Sequence, residues 1–290
     1  MTVQNPIIAG IDLGPGTGSV IAYSAYFAGK ARAGVKLLYV IDYLLTPPAY
    51  LAAYLEEEKK REESEMAIWK ERLEKEGIAV EYGVMLGRLH ESFAKVIQEG
   101  SPRLLVIGYK SHLIRPSTSE RLIKTLNVPM LVVRGKTAGA ASIGSVAIRK
   151  ILCPVDFSDN SKKALLAARE YASLFSAELS VTHVIPSHLL RERWSALKKA
   201  GEEDRERFEE ALRKEAESKL SSFCRDCGID KGGGTYLGDP AGMIGSIADD
   251  GGYDLVVMGA RGLSYLQGIF IGSTTDTILR SSPCPVLIVH

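Results

Sequence analysis

Three glycines and two hydroxyl side chains stand close together near the end of the sequence. Gly259 and Gly262 are followed by Gly272, and Ser273 and Thr274 come directly after it. Glycine admits close approaches that a Cβ forbids, and the free N–H groups at the start of a helix bind anions. The pattern therefore predicts a loop and a helix start that bind phosphate groups. The alternative is an ordinary glycine-rich turn that leads to a helix N-cap at Ser273.

An acidic residue stands where a second part of the same site would lie. The segments 150–155 and 254–258 are apolar, which is typical of strands buried in a parallel sheet. Asp156 follows the first segment and Gly259 follows the second. Open parallel sheets bind ligands outside the carboxyl ends of their strands. We therefore expect the Asp156 carboxylate to lie across the cleft from the glycines and to accept hydrogen bonds from ribose hydroxyls or an adenine amino group.

Strands and helices alternate through this part of the chain, which predicts a parallel sheet with right-handed crossovers. Ser158 or Asp159 can cap a helix that continues to about Phe175, and Pro240 can open another helix at its first turn. Further strands are predicted at 179–185, in the segment that starts at 232, and at 285–289; further helices are predicted at about 202–222 and at 274–280.

The sequence repeats itself over a long period. Asp12 and Val40 match Asp156 and Val184 with the same separation in each copy. Three glycines of each copy match at one constant offset: Gly77, Gly87 and Gly108 correspond to Gly228, Gly238 and Gly259. A small, polar segment at 135–145 is typical of a linker. We predict an α/β fold of two tandem domains, 1–136 and 146–290, each a doubly wound, parallel five-stranded sheet with helices on both faces.

The composition excludes several classes of partner. The 290 residues carry 36 basic and 35 acidic side chains, which leaves a formal net charge of +1 and no general attraction to nucleic acid or to an anionic membrane. No apolar run approaches the length of a membrane-spanning helix. The first residues also lack the pattern of a secretion signal, so we expect a cytoplasmic protein.

The four cysteines do not form a disulfide framework, because they are few and widely spread. Cys224 and Cys227 have the CxxC spacing of a redox pair or of half a zinc site, but no second pair of zinc ligands with such spacing follows. The alternative is two thiols at the end of a helix. We favour that interpretation, because low-pKa redox thiols occur at helix N-termini.

The second copy resembles the nucleotide-binding branch of the universal stress protein family. That branch carries the pattern G-x2-G-x9-G-[ST], which Gly259, Gly262, Gly272 and Ser273 fit without a gap. The opening P-x-D-x-S of the family stands here as Pro154-Val-Asp-Phe-Ser, and its H-V-I strand end stands here as His183-Val-Ile. The resemblance covers the whole of 146–290 and implies the adenine nucleotide alpha hydrolase-like fold.

The resemblance also implies a ligand, ATP or AMP, and a role in stress response or signalling. Asp156 would contact the adenine or the ribose, and the Val184 backbone would contact the adenine. A divalent ion, Mg²⁺ or Mn²⁺, would be held largely by the phosphates. For His183, a structural role at the strand end competes with a role in binding. The implied nucleotide contacts are Pro154, Val155, Asp156, Val184, Gly259, Arg261, Gly262, Gly272, Ser273, Thr274 and Thr275.

The first copy does not keep the glycine pattern. Ser111 replaces the second glycine, and Pro116, which has no N–H to offer a phosphate, falls where Gly272 stands in the second copy. The segment 14–19 resembles a phosphate loop but lacks the lysine and the spacing of one. We expect the first copy to act mainly as an intramolecular partner, replacing the dimer of single-domain members, with a homodimer of whole chains as a further possibility.

Two other functions stay open at this point. One is an enzyme that hydrolyses ATP slowly, which would need a positioned nucleophile and fixed positive charge around the phosphates. Near the predicted phosphates the sequence offers Arg261 but no pair of carboxylates. We therefore assign no catalytic residue. A nucleotide-free scaffold could retain the motif. The charged segment 55–77 has irregular apolar spacing, which indicates a solvated amphipathic helix and not a coiled coil.

Overall fold

The structure is a computed structural model, and it describes residues 4–42, 52–109, 118–134, 141–196, 202–230, 233–262 and 271–290. The chain divides into two compact units, residues 1–147 and 148–290. The predicted linker, 135–145, precedes this division, and its first six residues lie outside the described part of the chain.

The first unit contains a five-stranded parallel sheet with the strand order β3-β2-β1-β4-β5. Its strands are β1 (Ile7–Ile11), β2 (Val35–Ile41), β3 (Val80–Leu86), β4 (Leu104–Gly108) and β5 (Met130–Val133). Its helices are α1 (Thr17–Ala31), α2 (Ala52–Lys75), α3 (Leu89–Gly100) and α4 (Thr118–Thr125). The charged segment 55–77 thus forms most of α2, a single helix that packs on the sheet through β2 and β3.

The second unit has the same topology, with the strand order β10-β9-β6-β7-β8 and parallel pairing throughout the described ladders. Its strands are β6 (Lys150–Pro154), β7 (Glu178–Pro186), β8 (Thr235–Gly238), β9 (Leu255–Gly259) and β10 (Val286–Val289). Its helices are α5 (Asp159–Phe175), α6 (Ser187–Ala196), α7 (Glu202–Asp226), α8 (Pro240–Asp250) and α9 (Ser273–Ser281). The prediction of an α/β fold with parallel sheets is confirmed.

Local sequence signals explain where several of these elements begin. Ser158 caps α5, since its side chain accepts a hydrogen bond from the Ser161 N–H, and Pro240 stands at the first turn of α8. Strands β9 and β10 are continuous apolar runs and are buried along their whole length. In each sheet the chain reverses its winding between the first and fourth strands, which places a crevice outside the carboxyl ends of β6 and β9.

One helix of the second unit was not predicted. Helix α6 directly follows β7, where the sequence analysis had placed no element between 185 and 202. Its ten residues are mostly polar and too few to display a helical period. Among the helices that the structure describes, none has the length and apolar character needed to cross a membrane.

Candidate functional site

A cavity of about 470 Å³ lies at the carboxyl ends of the strands in the second unit. Strands β6, β7 and β9 contribute their last residues to its wall, and α9 contributes its first turn. The wall includes all the residues that the resemblance implied as nucleotide contacts: Pro154, Val155, Asp156, Val184, Gly259, Arg261, Gly262, Gly272, Ser273, Thr274 and Thr275. Side chains separated by more than a hundred residues in the sequence therefore face one volume.

Asp156 is held in place by the turn that joins β6 to α5. Its Oδ1 accepts hydrogen bonds from the Ser158 N–H at 3.1 Å and from the Ser158 hydroxyl at 2.6 Å. Its Oδ2 lies against Gly262, so closely that a Cβ at position 262 would overlap this oxygen. The carboxylate is thus oriented between the α5 turn and the glycine loop, in the wall of the cavity.

The glycines at 259 and 262 are required by packing within the protein. A Cβ at Gly259 would lie 3.0 Å from the backbone carbon of Asn160, in the first turn of α5. Gly259 thus lets the end of β9 lie against the first turn of α5, and Gly262 lets the following loop lie against Asp156. From the sequence, these glycines were assigned to a loop that binds phosphate groups; the close approach of two segments of the protein is an additional reason for them.

Helix α9 begins without a side-chain cap. Gly272 occupies its N-cap position, whereas Ser158 caps α5 and the Asp239 carboxylate caps α8. The N-terminal N–H groups of a helix have no acceptor within the helix and favour an anion. Because Gly272, Ser273 and Thr274 line the cavity, this helix start is suited to bind phosphate oxygens there.

Thr275 stands one residue further along and is buried, with 3% of its surface exposed. Its hydroxyl donates a hydrogen bond to the Gly259 carbonyl oxygen at 3.0 Å. The Gly272 N–H donates in the same way to the Ala260 carbonyl oxygen at 3.0 Å. These two bonds fix the start of α9 against the end of β9, so the Thr275 side chain positions the helix.

Arg261 places a positive charge beside the α9 end of the cavity. Arg261 lies in the wall, and Lys163 on α5 donates a hydrogen bond from Nζ to the His290 carbonyl oxygen at 3.2 Å. Burial lowers the pKa of His290, and the nearby charges of Arg261 and Lys163 lower it further. Lys163 and His290 were missed by the sequence analysis, because only the packing of α5 against the ends of β9 and β10 brings them near Arg261.

The middle of the wall is aromatic and carries one lysine. Phe157, in a left-handed conformation at φ 67°, stacks on the His183 ring at a centroid distance of 4.3 Å. The Lys219 ammonium lies 4.4 Å from the Phe157 ring centroid, within the range of a cation–π interaction. All three residues line the cavity.

His183 has a structural partner as well as a place in the wall. Its Nδ1 lies 2.8 Å from the Val155 carbonyl oxygen, to which a protonated Nδ1 donates. Burial lowers the pKa of this imidazole, although the Val155 carbonyl and the Asp156 carboxylate act in the opposite direction. The neutral ring is therefore favoured, and it supports Phe157 and the end of β6.

The corresponding turn of the first unit is closed by its own aspartate. The Asp12 Oδ1 accepts hydrogen bonds from the Gly14 N–H at 2.9 Å and from the Thr17 hydroxyl at 3.3 Å. The Asp12 carboxylate thus accepts from two donors of the segment that resembled a phosphate loop, as Asp156 accepts from Ser158 in the second unit. The predicted substitutions in this copy, Ser111 and Pro116, lie outside the described residues.

The cysteines are buried and poorly suited to redox chemistry. Cys224 and Cys227 stand at the end of α7, as the sequence predicted, and each is 1% exposed. Burial raises the pKa of both thiols and of Cys153, and it raises the pKa of Cys284 to about 11. Such thiols are weak nucleophiles at neutral pH. In the described ranges, no group of three or more His, Cys, Asp or Glu residues is arranged to hold a metal ion.

Comparison with known proteins places the chain in a family. The model of the universal stress protein family matches residues 5–134 and again residues 147–290. Universal stress protein MJ0577 of Methanocaldococcus jannaschii is 31% identical over 156 residues, which cover 50% of this chain and 96% of that protein. Universal stress protein YxiE of Bacillus subtilis is 33% identical over 157 residues, 49% of this chain and 98% of that protein.

A solved structure shares the fold over the whole length. The universal stress protein from Archaeoglobus fulgidus superimposes with a TM-score of 0.70 at 19% identity, covering 99% of this chain and 96% of that one. The relatives from M. jannaschii and B. subtilis match about half of this chain over nearly their whole length, whereas the family model matches it twice. The chain therefore belongs to the universal stress protein family.

Proposed function

We propose that the chain is an adenine-nucleotide binding protein, for ATP or AMP, that acts in stress response or signalling through a single site in its second domain, 146–290. One observation carries the proposal: the residues implied as nucleotide contacts all line the same cavity at the carboxyl ends of the strands. The spatial order of the strands supports a placement of the phosphates at one side of the cavity and of the nucleoside at the other.

The phosphates would lie on the α9 side. The uncapped start of α9, the hydroxyls of Ser273 and Thr274, and the Arg261 guanidinium offer N–H, O–H and positive charge on the same side of the cavity. A bound divalent ion, Mg²⁺ or Mn²⁺, would be held chiefly by phosphate oxygens. The protein groups on the α9 side of the cavity are hydroxyls and a guanidinium, which are poor ligands for such an ion.

The nucleoside would lie across β6 and β7. Strand β6 separates β9 from β7, so the ends of these two strands are about 10 Å apart at the usual spacing of a sheet. Asp156, at the end of β6, would accept hydrogen bonds from the ribose or the base. The Val184 backbone, at the end of β7, would contact the adenine.

The first domain, 1–136, would act as an intramolecular partner for the second and would not hold a nucleotide. This proposal is supported by the sequence of the first copy, in which Ser111 and Pro116 stand where the second copy has Gly262 and Gly272. A homodimer of whole chains is the other arrangement. Light scattering in solution separates the two, because a chain that satisfies its own pairing surface is expected to be monomeric.

Isothermal titration calorimetry with ATP, AMP and GTP tests the binding proposal. We expect one adenine nucleotide per chain and weaker binding of GTP. Absence of heat with both adenine nucleotides, at protein concentrations that detect micromolar affinity, would leave a nucleotide-free scaffold. Release of phosphate from ATP, lost in Arg261→Ala, would instead establish a slow hydrolase.

A further inference from the structure

One part of the cavity wall is not explained by a simple adenine nucleotide. Beyond the end of β7, helices α6, α7 and α8 close the cavity with apolar side chains. We call this part of the wall the annex. Its residues are Ile185, Leu189, Leu190, Leu212, Ala216 and Ile244.

The annex is built on a stretch of sequence that is longer in the second copy. Val40 and Gly77 stand 37 residues apart, whereas the matching Val184 and Gly228 stand 44 residues apart. Helix α6 lies inside this longer stretch. The copy that contains the cavity thus has extra residues where the additional wall is formed.

The annex is apolar inside and charged at its rim. Leu190, Ala216 and Ile244 are buried, with at most 9% of their surfaces exposed. At the rim, the Arg193 Nη1 lies 4.0 Å from the Glu215 Oε2, which links α6 to α7. The Trp194 and Phe208 rings of the same two helices also pack, at a centroid distance of 5.6 Å. Such a lining favours an apolar group over a polar one.

The strand order fixes where the annex lies relative to the proposed nucleotide. The phosphate side is at β9 and α9, Asp156 is at β6, and the annex starts at Ile185, directly after Val184 at the end of β7. With the phosphates on α9 and the base against Val184, the outer edge of the base faces the annex. An exocyclic NH₂ group directed at leucine side chains would lose a hydrogen bond to water without replacement.

We propose that the annex receives an apolar group carried by the base, so that the cavity takes an adenine nucleotide with an alkyl group on its exocyclic amine. The inference rests on the proposed function. A monoalkylated amine keeps one N–H for the Val184 carbonyl, and its alkyl chain gains from burial against the annex.

Calorimetry with AMP and N6-hexyl-AMP tests this inference. We expect N6-hexyl-AMP to bind at least about tenfold more tightly than AMP, which corresponds to about 1.4 kcal/mol. Leu212→Glu, which places a charge in the annex, is expected to remove this gain. Leu174→Glu is the matched control, since Leu174 is a 38% exposed helical leucine outside the cavity wall, and it should retain the gain.

Three other outcomes would overturn the inference, and they distinguish failure of the annex from failure of the nucleotide site. If AMP binds and the hexyl compound binds no more tightly, the annex fails and the nucleotide site stands. If Leu212→Glu weakens AMP itself, the annex holds the base and no further group. If neither compound binds, the proposed function and the annex fail together.

Discussion

The two units share a strand order and an aspartate after their first strand, yet different charged groups surround the matching residues Tyr39 and His183 of their second strands. In the first unit, Tyr39 is the counterpart of His183, and Asp12 and the Glu62 carboxylate, which is paired with Arg61 at 2.7 Å, both act on it. Burial raises the pKa of Tyr39, and the charges of Glu62 and Glu58 raise it further. In the second unit, His183 and the Lys219 ammonium lie beside Phe157.

The fold alone therefore does not make an anion site. Both units place a helix start and an aspartate at the carboxyl ends of parallel strands. In the first copy Ser111 and Pro116 replace the second and third glycines of the loop, and a proline has no N–H to offer a phosphate. In the second unit Arg261 lies beside the uncapped start of α9, which favours a phosphate there.

The largest effect is expected at Gly272. A Cβ at this position would meet Arg261 and Gly262 at no less than 3.5 Å, so the protein itself has room for it. Gly272→Val should therefore leave the unfolding temperature nearly unchanged but weaken ATP binding by about 100-fold or more, because its methyl groups enter the phosphate side. Titration calorimetry measures the loss, and Gly272→Ala should show a smaller one. Unchanged affinity in the valine variant would exclude this loop as the phosphate site.

The next effect compares the two aspartates directly. Asp156→Ala should weaken adenine nucleotides by about 1–3 kcal/mol, through loss of hydrogen bonds to a charged acceptor. Asp12→Ala, the matched change in the first unit, should leave nucleotide affinity unchanged while loosening the start of α1. Equal weakening in both variants would show that the first unit also takes part in binding.

A smaller effect, on the free energy of unfolding, is expected to differ between Gly259 and Gly108, each of which ends the fourth strand of its sheet. Gly259→Ala should destabilise the second unit by about 1–2 kcal/mol, because the new Cβ would lie 3.0 Å from the Asn160 backbone. Gly108→Ala should change stability by less than about 0.5 kcal/mol, since its Cβ would meet only a Val20 methyl group at 3.5 Å. Urea denaturation of both variants checks the difference, and equal costs would contradict this account of the glycines.

The smallest effect concerns pH. The pKa of His183 is lowered on folding from its ordinary value of 6.5, so the unfolded chain binds a proton more readily than the folded one. Stability is then constant above about pH 6.5 and falls below it, by at most about 1.4 kcal/mol per pH unit for this residue. His183→Tyr, which copies the first unit, should flatten the dependence of the unfolding temperature between pH 5 and 6.5. His290 would account for what remains.

The sequence predicted what depends on local patterns. Buried parallel strands such as β9 are apolar runs, Ser158 is a strong N-cap residue, and the glycine spacing led to the residues that line the cavity. It could not predict α6, whose ten residues lack a readable period. Nor could it predict that Gly262 makes room for the Asp156 carboxylate, or that His290 lies near Arg261, because both contacts arise only when distant strands pack side by side.

The most direct test of the central claim is to denature freshly purified protein and to quantify the small molecules that it releases by mass spectrometry. One site in the second unit predicts one adenine nucleotide per chain from the wild type and none from Gly272→Val. Two nucleotides per chain, or equal release from the variant, would contradict the assignment of the site to the second unit alone.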